Sequence, residues 1–264
     1  MKPQEKPRPP SPYFAKGITF FAFLILYIPL LALVVESFIG PYLGDGVSRV
    51  WTLEWYRKVF SNAQVLDAFQ LSLWVGLWST LFATLLGTSA ALALQRQRFP
   101  GREFLNVLTH IPMMMPELVL GLALLIWFVI LRVTLGSFSI ILAHITFSVS
   151  YVIITVKARL QDFDRSLEEA AKDLGATPWK TFWRITFPLI WPGIFSGALM
   201  AFTLSFDDFL ITFFTAGVGS DTLPLKIYSM IKFGVSPEIN ALSTVMLLVT
   251  FAMVAVFFKP VKSI

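Results

Sequence analysis

Four carboxylates stand inside the long apolar runs of this sequence, where an ionised side chain needs a physical reason. Glu36 lies late in the first run, Glu117 lies within the third, and Asp207 and Asp208 stand together in the fifth. A charged side chain at the centre of a bilayer costs about 2.5–3.5 kcal/mol on insertion scales. Basic residues are scarce in the same runs, so a cation in transit is a natural partner. For each acid taken alone, a helix cap or solvation at the membrane surface explains it equally well.

The sequence offers few groups for catalysis or for metal binding. It contains no cysteine and only two histidines, His110 and His144, which excludes thiolate chemistry and disfavours a histidine-built centre. We expect His144 to pack within a helix and to donate to a carbonyl or to Thr146. The methionines at positions 113–115 could ligate Cu(I), but in an apolar run they are more often gap-filling side chains. We therefore predict no catalytic residue and no metal site.

Long apolar runs must position these carboxylates. The chain has 264 residues, of which 56% are hydrophobic and 14% are charged, and its mean hydropathy is +0.73. Soluble domains are about 25% charged, so an ordinary soluble enzyme is excluded. At about 20 apolar residues per crossing we predict six transmembrane helices, with Pro29, Pro112 and Pro116 as candidate kinks inside them. The six runs are Ile18–Val35, Phe69–Leu94, Leu105–Leu131, Ser137–Val156, Leu189–Phe214 and Ala241–Phe258.

The distribution of basic residues predicts the orientation in the membrane. Fifteen of the 21 lysines and arginines fall in the two tails, the second-to-third loop and the fourth-to-fifth loop. Because basic loops stay on the cytoplasmic side, both termini are predicted to be cytoplasmic. Residues 1–16 are rich in proline and polar side chains and are predicted to form a disordered tail. Residues 17–264 are predicted to form a single transmembrane domain.

The loop 158–188, between the fourth and fifth runs, carries clear helix signals. Ser166 and Glu169 fit a capping box at the start of a short helix. Gly175 is suited to the left-handed conformation that ends it. Thr177 followed by Pro178 predicts the N-terminus of a second short helix, which is rich in aromatic residues. We expect this pair of helices to display alanines and aromatic side chains to the cytoplasm as a docking site, or else to lie on the bilayer or on neighbouring spans.

Residues of this loop resemble the EAA motif of ABC-importer permeases. Glu169-Ala170-Ala171 is followed at the family's spacing by Gly175, and then by Ile185 and Pro188. Phe187 stands where the family has leucine, which exchanges one hydrophobic residue for another. In that family the loop is the coupling helix, which sits in a groove of the cytoplasmic ATPase subunit. The resemblance implies an ATPase-coupling role for Glu169, Ala170, Ala171, Gly175, Ile185 and Pro188.

Further segments resemble one branch of that family, the permeases of spermidine and putrescine importers. These segments are residues 144–147, 170–176, 205–208, 223–230 and 234–242. The resemblance implies an all-α membrane protein of the type I ABC-importer permease fold, with six transmembrane helices, in the bacterial inner membrane. It implies as partners two copies of an ATP-binding subunit, a homologous second permease and an extracytoplasmic polyamine-binding protein, with lipid around the chain and no nucleic acid.

The same resemblance assigns ATP and Mg²⁺ to the ATPase subunit, so this chain is expected to hold no cofactor and to have no enzyme activity of its own. The sequence agrees, because it contains no G-x4-G-K-[ST] phosphate-binding loop. Energy for transport would then have to reach this chain through the docking loop.

A polyamine is a flexible chain of ammonium groups joined by methylenes, so its path should combine carboxylates with aromatic walls. Trp51, Trp55, Tyr56, Phe206 and Phe209 could supply such walls, and aromatic residues are equally common as anchors at the membrane surface. Adjacent helical residues point about 100° apart, so at most one acid of the Asp pair is expected to face the path squarely. The pathway candidates are Glu117, Asp207, Asp208, Ser205, Trp55 and Glu36.

Other functions compete with this interpretation. A cation-coupled carrier would use the same acids as an ion relay, but it predicts inverted repeats, which the sequence does not display, and it leaves the loop unexplained. A membrane-embedded enzyme lacks a catalytic constellation. Within the permease class, another amine or an unrelated small solute is the alternative cargo.

Overall fold

The structure is a computed structural model that describes residues 12–40, 50–161, 164, 166–232, 234 and 236–257. Apart from one β-bridge between Ile39 and Trp51, these residues form helices and short connections. A π-helical turn, Phe182–Thr186, joins the α-helices Pro178–Thr181 and Phe187–Asp207. The α-helices are α1 (Pro12–Glu36), α2 (Glu54–Ser61), α3 (Ala63–Arg96), α4 (Arg102–Leu108), α5 (Ile111–Met114), α6 (Glu117–Ile130), α7 (Ser137–Gln161), α8 (Ser166–Asp173), α9 (Pro178–Thr181), α10 (Phe187–Asp207), α11 (Leu210–Thr215), α12 (Leu223–Lys232) and α13 (Pro237–Phe257).

Within the described residues, five helical segments are long and apolar enough to cross a membrane, and a bent pair of segments supplies a sixth. The predicted all-α fold is therefore confirmed, with six spans when the bent pair counts as one. Helix α1 begins at Pro12, so residues 12–16 of the predicted tail are helical, and residues 1–11 lie outside the described residues. The other five spans are Lys16–Glu36, Ala63–Arg96, Ser137–Gln161, Pro178–Asp207 and Pro237–Ala255.

The third span departs from the single helix expected over Leu105–Leu131. It consists of Arg102–Met114 and Glu117–Ile130, which meet at 111°. The break falls at Pro116, whose ψ of 133° leaves the helical region and whose ring removes a backbone donor. Pro116 thus ends one helical segment and precedes the next, whereas Pro29 lies inside the unbroken α1.

The fifth span also ends earlier than the apolar run predicts. Helix α10 stops at Asp207, because Asp208 takes an extended conformation with a ψ of 129°. A separate short helix, α11, follows at Leu210–Thr215. The expectation of one helix up to Phe214 is therefore wrong. Mean hydropathy over a run does not show where a helix ends and a new one begins within it.

By its contacts the chain divides into two compact units. The first comprises Met1–Ser61 and Ile231–Leu248, and the second comprises Asn62–Met230 and Val249–Ile264. In the first unit, the segment after α1 is joined to α2 by side-chain hydrogen bonds. The Trp55 indole Nε1 donates to the Ile39 carbonyl at 2.7 Å, and the hydroxyls of Ser37 and Tyr56 lie 2.6 Å apart.

The core of the second unit is the packing of α3, α7 and α10 around small residues. A Cβ added to Gly87 would lie 2.7 Å from Cβ of Val152, and one added to Gly197 would lie 3.1 Å from the Val152 Cα. Small residues let helical backbones approach closely in a membrane, where lipid removes the hydrophobic drive for association. The fully buried Ile190 packs in the same cluster.

A second cluster of the same unit holds α6 and α11 against α7. Its buried members are Leu120 and Phe128 of α6, Ala143 and Phe147 of α7, and Ile211 of α11. This packing places the broken third span beside the end of α10. The predicted carboxylates of both segments are thereby brought to one region.

Candidate functional site

A cavity of about 490 Å³ lies between the broken third span, α7 and the junction of α10 with α11. Three of the predicted pathway residues, Glu117, Asp207 and Asp208, line it together although they are up to 91 positions apart in the chain. The other lining residues are Pro112, Met113, Met115, Pro116, Leu120, Phe147, Tyr151, Thr203, Leu204, Phe209, Leu210 and Ile211.

Glu117 reaches the cavity because the helix is broken next to it. It is the first residue of α6 and directly follows Pro116 at the bend. Non-helical backbone at membrane depth is tolerated where it lines a cavity. The N-terminus of a helix carries a partial positive charge, which stabilises an ionised glutamate in the first turn. Glu117 is exposed and is one of the residues that line the cavity.

Asp208 is held by the protein itself. Its carboxylate accepts hydrogen bonds from the Thr212 N–H at 2.7 Å, the Thr212 hydroxyl at 2.9 Å and the Ile211 N–H at 3.4 Å. The His144 Nε2 lies 3.3 Å from the same carboxylate, whose side chain is only 5% exposed. Asp208 therefore caps the N-terminus of α11, in the manner expected of aspartate before a helix.

Asp207 occupies a different environment from its neighbour. It is the last residue of α10, it is exposed, and it accepts one hydrogen bond, from the Thr250 hydroxyl at 3.1 Å. Because the helix ends between the two aspartates, their side chains diverge. The sequence prediction took both residues as helical, whereas Asp208 lies beyond the end of α10. Both residues line the cavity, and Asp207 is the more exposed of the two.

Ser205 lies behind the cavity wall. Its hydroxyl is 2.9 Å from the Ser79 hydroxyl of α3 and 2.7 Å from Nδ1 of His144. His144 Nε2 also lies 3.0 Å from the Thr212 hydroxyl, and the ring is fully buried. The expectation that His144 bonds to Thr146 or to a carbonyl is wrong, because both ring nitrogens lie against other side chains, Nδ1 at Ser205 and Nε2 at Thr212 and Asp208. A polar network through His144 therefore joins α3, α7, α10 and the start of α11.

Replacement of His144 by alanine is expected to destabilise the permease by about 1–3 kcal/mol, the cost of leaving buried polar partners unsatisfied. Asp208 and Ser205 would both lose a partner. The measurement is thermal unfolding of the purified protein in detergent. Thr146→Ala is a matched control, since it removes an exposed hydroxyl from the same helix. Equal melting temperatures for the two variants would contradict the role assigned to His144.

Trp55 and Glu36 belong to the first unit and are not among the residues that line the cavity. Glu36 is the last residue of α1. Trp55 is buried, and the Lys58 ammonium already lies 4.6 Å from the centre of its ring. The contacts of Trp55 with Ile39 and Lys58, both in its own unit, therefore account for its burial without a role in the pathway.

Of the aromatic residues proposed as walls, Phe209 lines the cavity while Phe206 is buried and packs edge-to-face on Phe69. Sequence reasoning missed the lining residues Phe147 and Tyr151. A signal was available, because these residues follow His144 by three and seven positions, which places all three on one face of a helix.

The docking loop has the two short helices, α8 and α9, that its capping and helix-ending residues predict. Gly175 has a φ of +82°, and its N–H donates to the Lys172 carbonyl while the Ala176 N–H donates to the Ala171 carbonyl. This pairing is the Schellman motif that ends many helices. Thr177 caps the second helix through the Lys180 N–H at 3.4 Å.

The N-terminus of α8 differs from the predicted capping box. The Asp164 carboxylate accepts the Ser166 N–H at 2.9 Å, in the place that the capping box gives to the Glu169 carboxylate. This backbone hydrogen bond, with a further one from the Ser166 side chain, lowers the pKa of the Asp164 carboxyl below its ordinary value. An ionised acid at this position also suits the positive end of α8.

The loop exposes large apolar side chains, which we call the docking patch. Leu174 is 89% exposed and Trp179 is 71% exposed, and Leu167 and Trp183 complete the patch. Glu169, Ala170 and Pro188 are also exposed. Ala171 is buried, and Ile185 lies half-buried in the π-helical turn. Exposed apolar groups on this scale mark a surface that contacts either another protein or the membrane.

The chain is similar in sequence to known proteins. Residues 83–259 match a sequence profile of the family described as binding-protein-dependent transport system inner membrane component. The spermidine/putrescine transport system permease protein PotC of Escherichia coli strain K12 is 41% identical over 90% of each chain. The putrescine transport system permease protein PotI of the same strain is 42% identical over 87% of this chain and 84% of its own.

Solved structures resemble the fold at lower identity. A crystal structure of a bacterial ABC transporter that imports the acidic polysaccharide alginate matches with a TM-score of 0.70 and 18% identity over 95% of this chain and 96% of that one. The alginate transporter in complex with an alginate pentasaccharide-bound periplasmic protein matches with a TM-score of 0.68 and 17% identity, over 93% and 92% of the two chains.

Proposed function

Because this chain belongs to the family of binding-protein-dependent transport system inner membrane components, we propose that it is a permease subunit of an ATP-driven polyamine importer. Its relatives are permease proteins, so its function class is transport rather than catalysis. The polyamines are spermidine, putrescine or both, as in the names of the two relatives.

The observation that carries the proposal is the meeting of Glu117 and Asp207 in one cavity with aromatic side chains. Carboxylates attract ammonium groups by charge, and aromatic rings such as those of Phe147, Tyr151 and Phe209 in the cavity lining can attract the same groups through cation–π interaction. The methylenes between ammonium groups are apolar and suit Leu120 and its neighbours. A polyamine can therefore interact with both the carboxylates and the apolar side chains of the cavity, whereas an anionic solute would be repelled by the carboxylates.

The docking patch supports the proposed partners. We propose that it contacts an ATP-binding subunit, present in two copies, through Glu169, Ala170, Ala171 and Gly175, with Ile185 and Pro188 behind them. A homologous second permease would form the other half of the pathway, and an extracytoplasmic polyamine-binding protein would deliver the cargo. ATP and Mg²⁺ would be bound by the ATPase subunit, and this chain would hold no cofactor.

The proposed place of the chain is the bacterial inner membrane, with residues 17–264 as the transmembrane permease and both termini in the cytoplasm. Transport would proceed by alternating access. ATP binding by the partner brings the docking loops together and opens the spans outward, cargo enters beside Glu117 and Asp207, and hydrolysis restores the inward-facing state.

The test is ATP hydrolysis by the complex in lipid with its binding protein. Putrescine and spermidine are compared with 1,4-butanediol, which has the length of putrescine but no charge. We expect hydrolysis to rise about fivefold or more with an amine and to stay at its basal rate with the diol. Stimulation by neither amine, but by another small solute, would retain the permease and overturn the polyamine assignment.

A further inference from the structure

Glu168 and Glu169 are adjacent in α8 but have different surroundings. Glu169 is exposed, whereas the Glu168 side chain is only 15% exposed. Adjacent residues of a helix point about 100° apart, so one glutamate faces outward while the other faces the spans. The resemblance to the EAA motif includes Glu169 and assigns nothing to Glu168.

Glu168 joins the docking loop to two spans. Its Oε1 forms an ion pair with Nη2 of Arg96, in the last turn of α3, and accepts a hydrogen bond from the Thr186 hydroxyl. Thr186 is fully buried and is the last residue of the π-helical turn before α10. Arg96 Nη2 also lies 3.4 Å from the Thr186 hydroxyl. We call these three residues the Arg96 cluster.

The Arg96 cluster is a direct side-chain connection between α8 and α3, which are 72 positions apart at these residues. Along the backbone, α8 reaches α10 only through the Gly175 turn, α9 and the π-helical turn. The ion pair is partly buried, and removal of one partner from such a pair leaves a poorly solvated charge. An exposed ion pair on the surface of the loop would contribute little.

We propose that the Arg96 cluster transmits the movement of the docking loop to α3 and α10, with Glu168 and Arg96 as positioning residues for ATP-driven transport. The inference rests on the proposed function, since it requires an ATPase that moves the loop. Two adjacent glutamates of α8 would then have different roles. Glu169 and the docking patch bind the ATPase subunit, and Glu168 couples the movement of the loop to α3 and α10.

The test uses the absence of cysteine from the sequence. A single reporter, Thr203→Cys, lies in the cavity wall, and its rate of reaction with a thiol reagent is measured with and without ATP and vanadate. In the protein that carries Thr203→Cys alone, which we call the reporter parent, we expect ATP to change this rate. In Glu168→Gln we expect the change to fall about tenfold, while the ATPase subunit still co-purifies and hydrolyses ATP.

Two further variants give the inference a specific signature. The exchange Arg96→Glu with Glu168→Arg should restore a large part of the ATP effect, because it rebuilds the ion pair with the charges reversed. Arg98→Gln removes an exposed cation two positions away and should behave as the parent.

The outcomes distinguish the inference from the function on which it rests. An ATP effect that persists in Glu168→Gln would overturn the Arg96 cluster alone. Loss of the ATPase subunit from Glu168→Gln would also overturn it, because Glu168 would then belong to the docking surface. No ATP effect in the reporter parent would overturn the proposed function, and the cluster with it.

Discussion

Replacement of Asp207 by asparagine is expected to lower the initial rate of polyamine uptake by about tenfold or more, which corresponds to about 1.4 kcal/mol. Asparagine keeps the size of the side chain and can still accept the Thr250 hydrogen bond, but it removes a charge from the cavity. Two unit charges about 4 Å apart interact by roughly 1 kcal/mol in water and about 4 kcal/mol near a protein surface. The measurement is uptake of labelled putrescine into proteoliposomes, normalised to the amount of complex.

Three comparisons make this result specific. Asp207→Glu retains the charge and should recover most of the uptake, and Asp221→Asn, an exposed acid outside this cavity, should leave it unchanged. Asp208→Asn should instead lower the yield of folded protein, because four donors lose their ionised partner. Normal uptake by Asp207→Asn would remove this carboxylate from the pathway.

Replacement of Gly175 by proline is expected to abolish amine-stimulated ATP hydrolysis and to release most of the ATPase subunit from the complex. Gly175 has a φ of +82°, whereas proline is fixed near about −65° and lacks the N–H that bonds to Lys172. The Schellman turn cannot form, so Leu174 and Trp179 lose their relative placement in the docking patch. Co-purification of the ATPase subunit with the permease measures the loss directly.

The structure offers a matched control for the backbone change. Gly219 has a φ of +77° with open space where its Cβ would be, as at Gly175, and it lies in the loop between α11 and α12. Gly219→Pro should therefore introduce a comparable strain and retain the ATPase subunit. Equal retention by both variants would show that the shape of the docking loop is irrelevant to assembly.

The parts of the fold that sequence reasoning predicted well are encoded locally. Gly175, Thr177 and Pro178 each act on the few residues around them, so their identity is sufficient to place a helix end. Glu117 and Asp207, two of the three carboxylates that line the cavity, are conspicuous because an acid in an apolar run is costly wherever it finally lies.

The parts that were missed depend on contacts between distant residues. His144 lies 64 positions from Asp208, and Arg96 lies 72 positions from Glu168, and no periodicity within one run indicates such pairs. Pro116 indicated a break in the third span but not its angle of 111°, because a proline interrupts a helix without fixing where the next segment packs. Which of the two adjacent glutamates in α8 faces the spans likewise depends on the position of Arg96 at the end of α3, since Arg96 pairs with Glu168.

The capping of α11 by Asp208 has a consequence for how a polyamine can pair with the cavity. Its carboxylate oxygens are already engaged by Thr212 and Ile211, so hydrogen bonding fixes this acid in place while its charge still acts at a distance. Glu117 and Asp207 are the exposed carboxylates that can pair directly with cargo, and the two ammonium groups of putrescine match them one for one. Spermidine has a third ammonium group, which would be attracted only at longer range. We expect spermidine uptake to fall more steeply with ionic strength than putrescine uptake, since salt screens attraction between separated charges most.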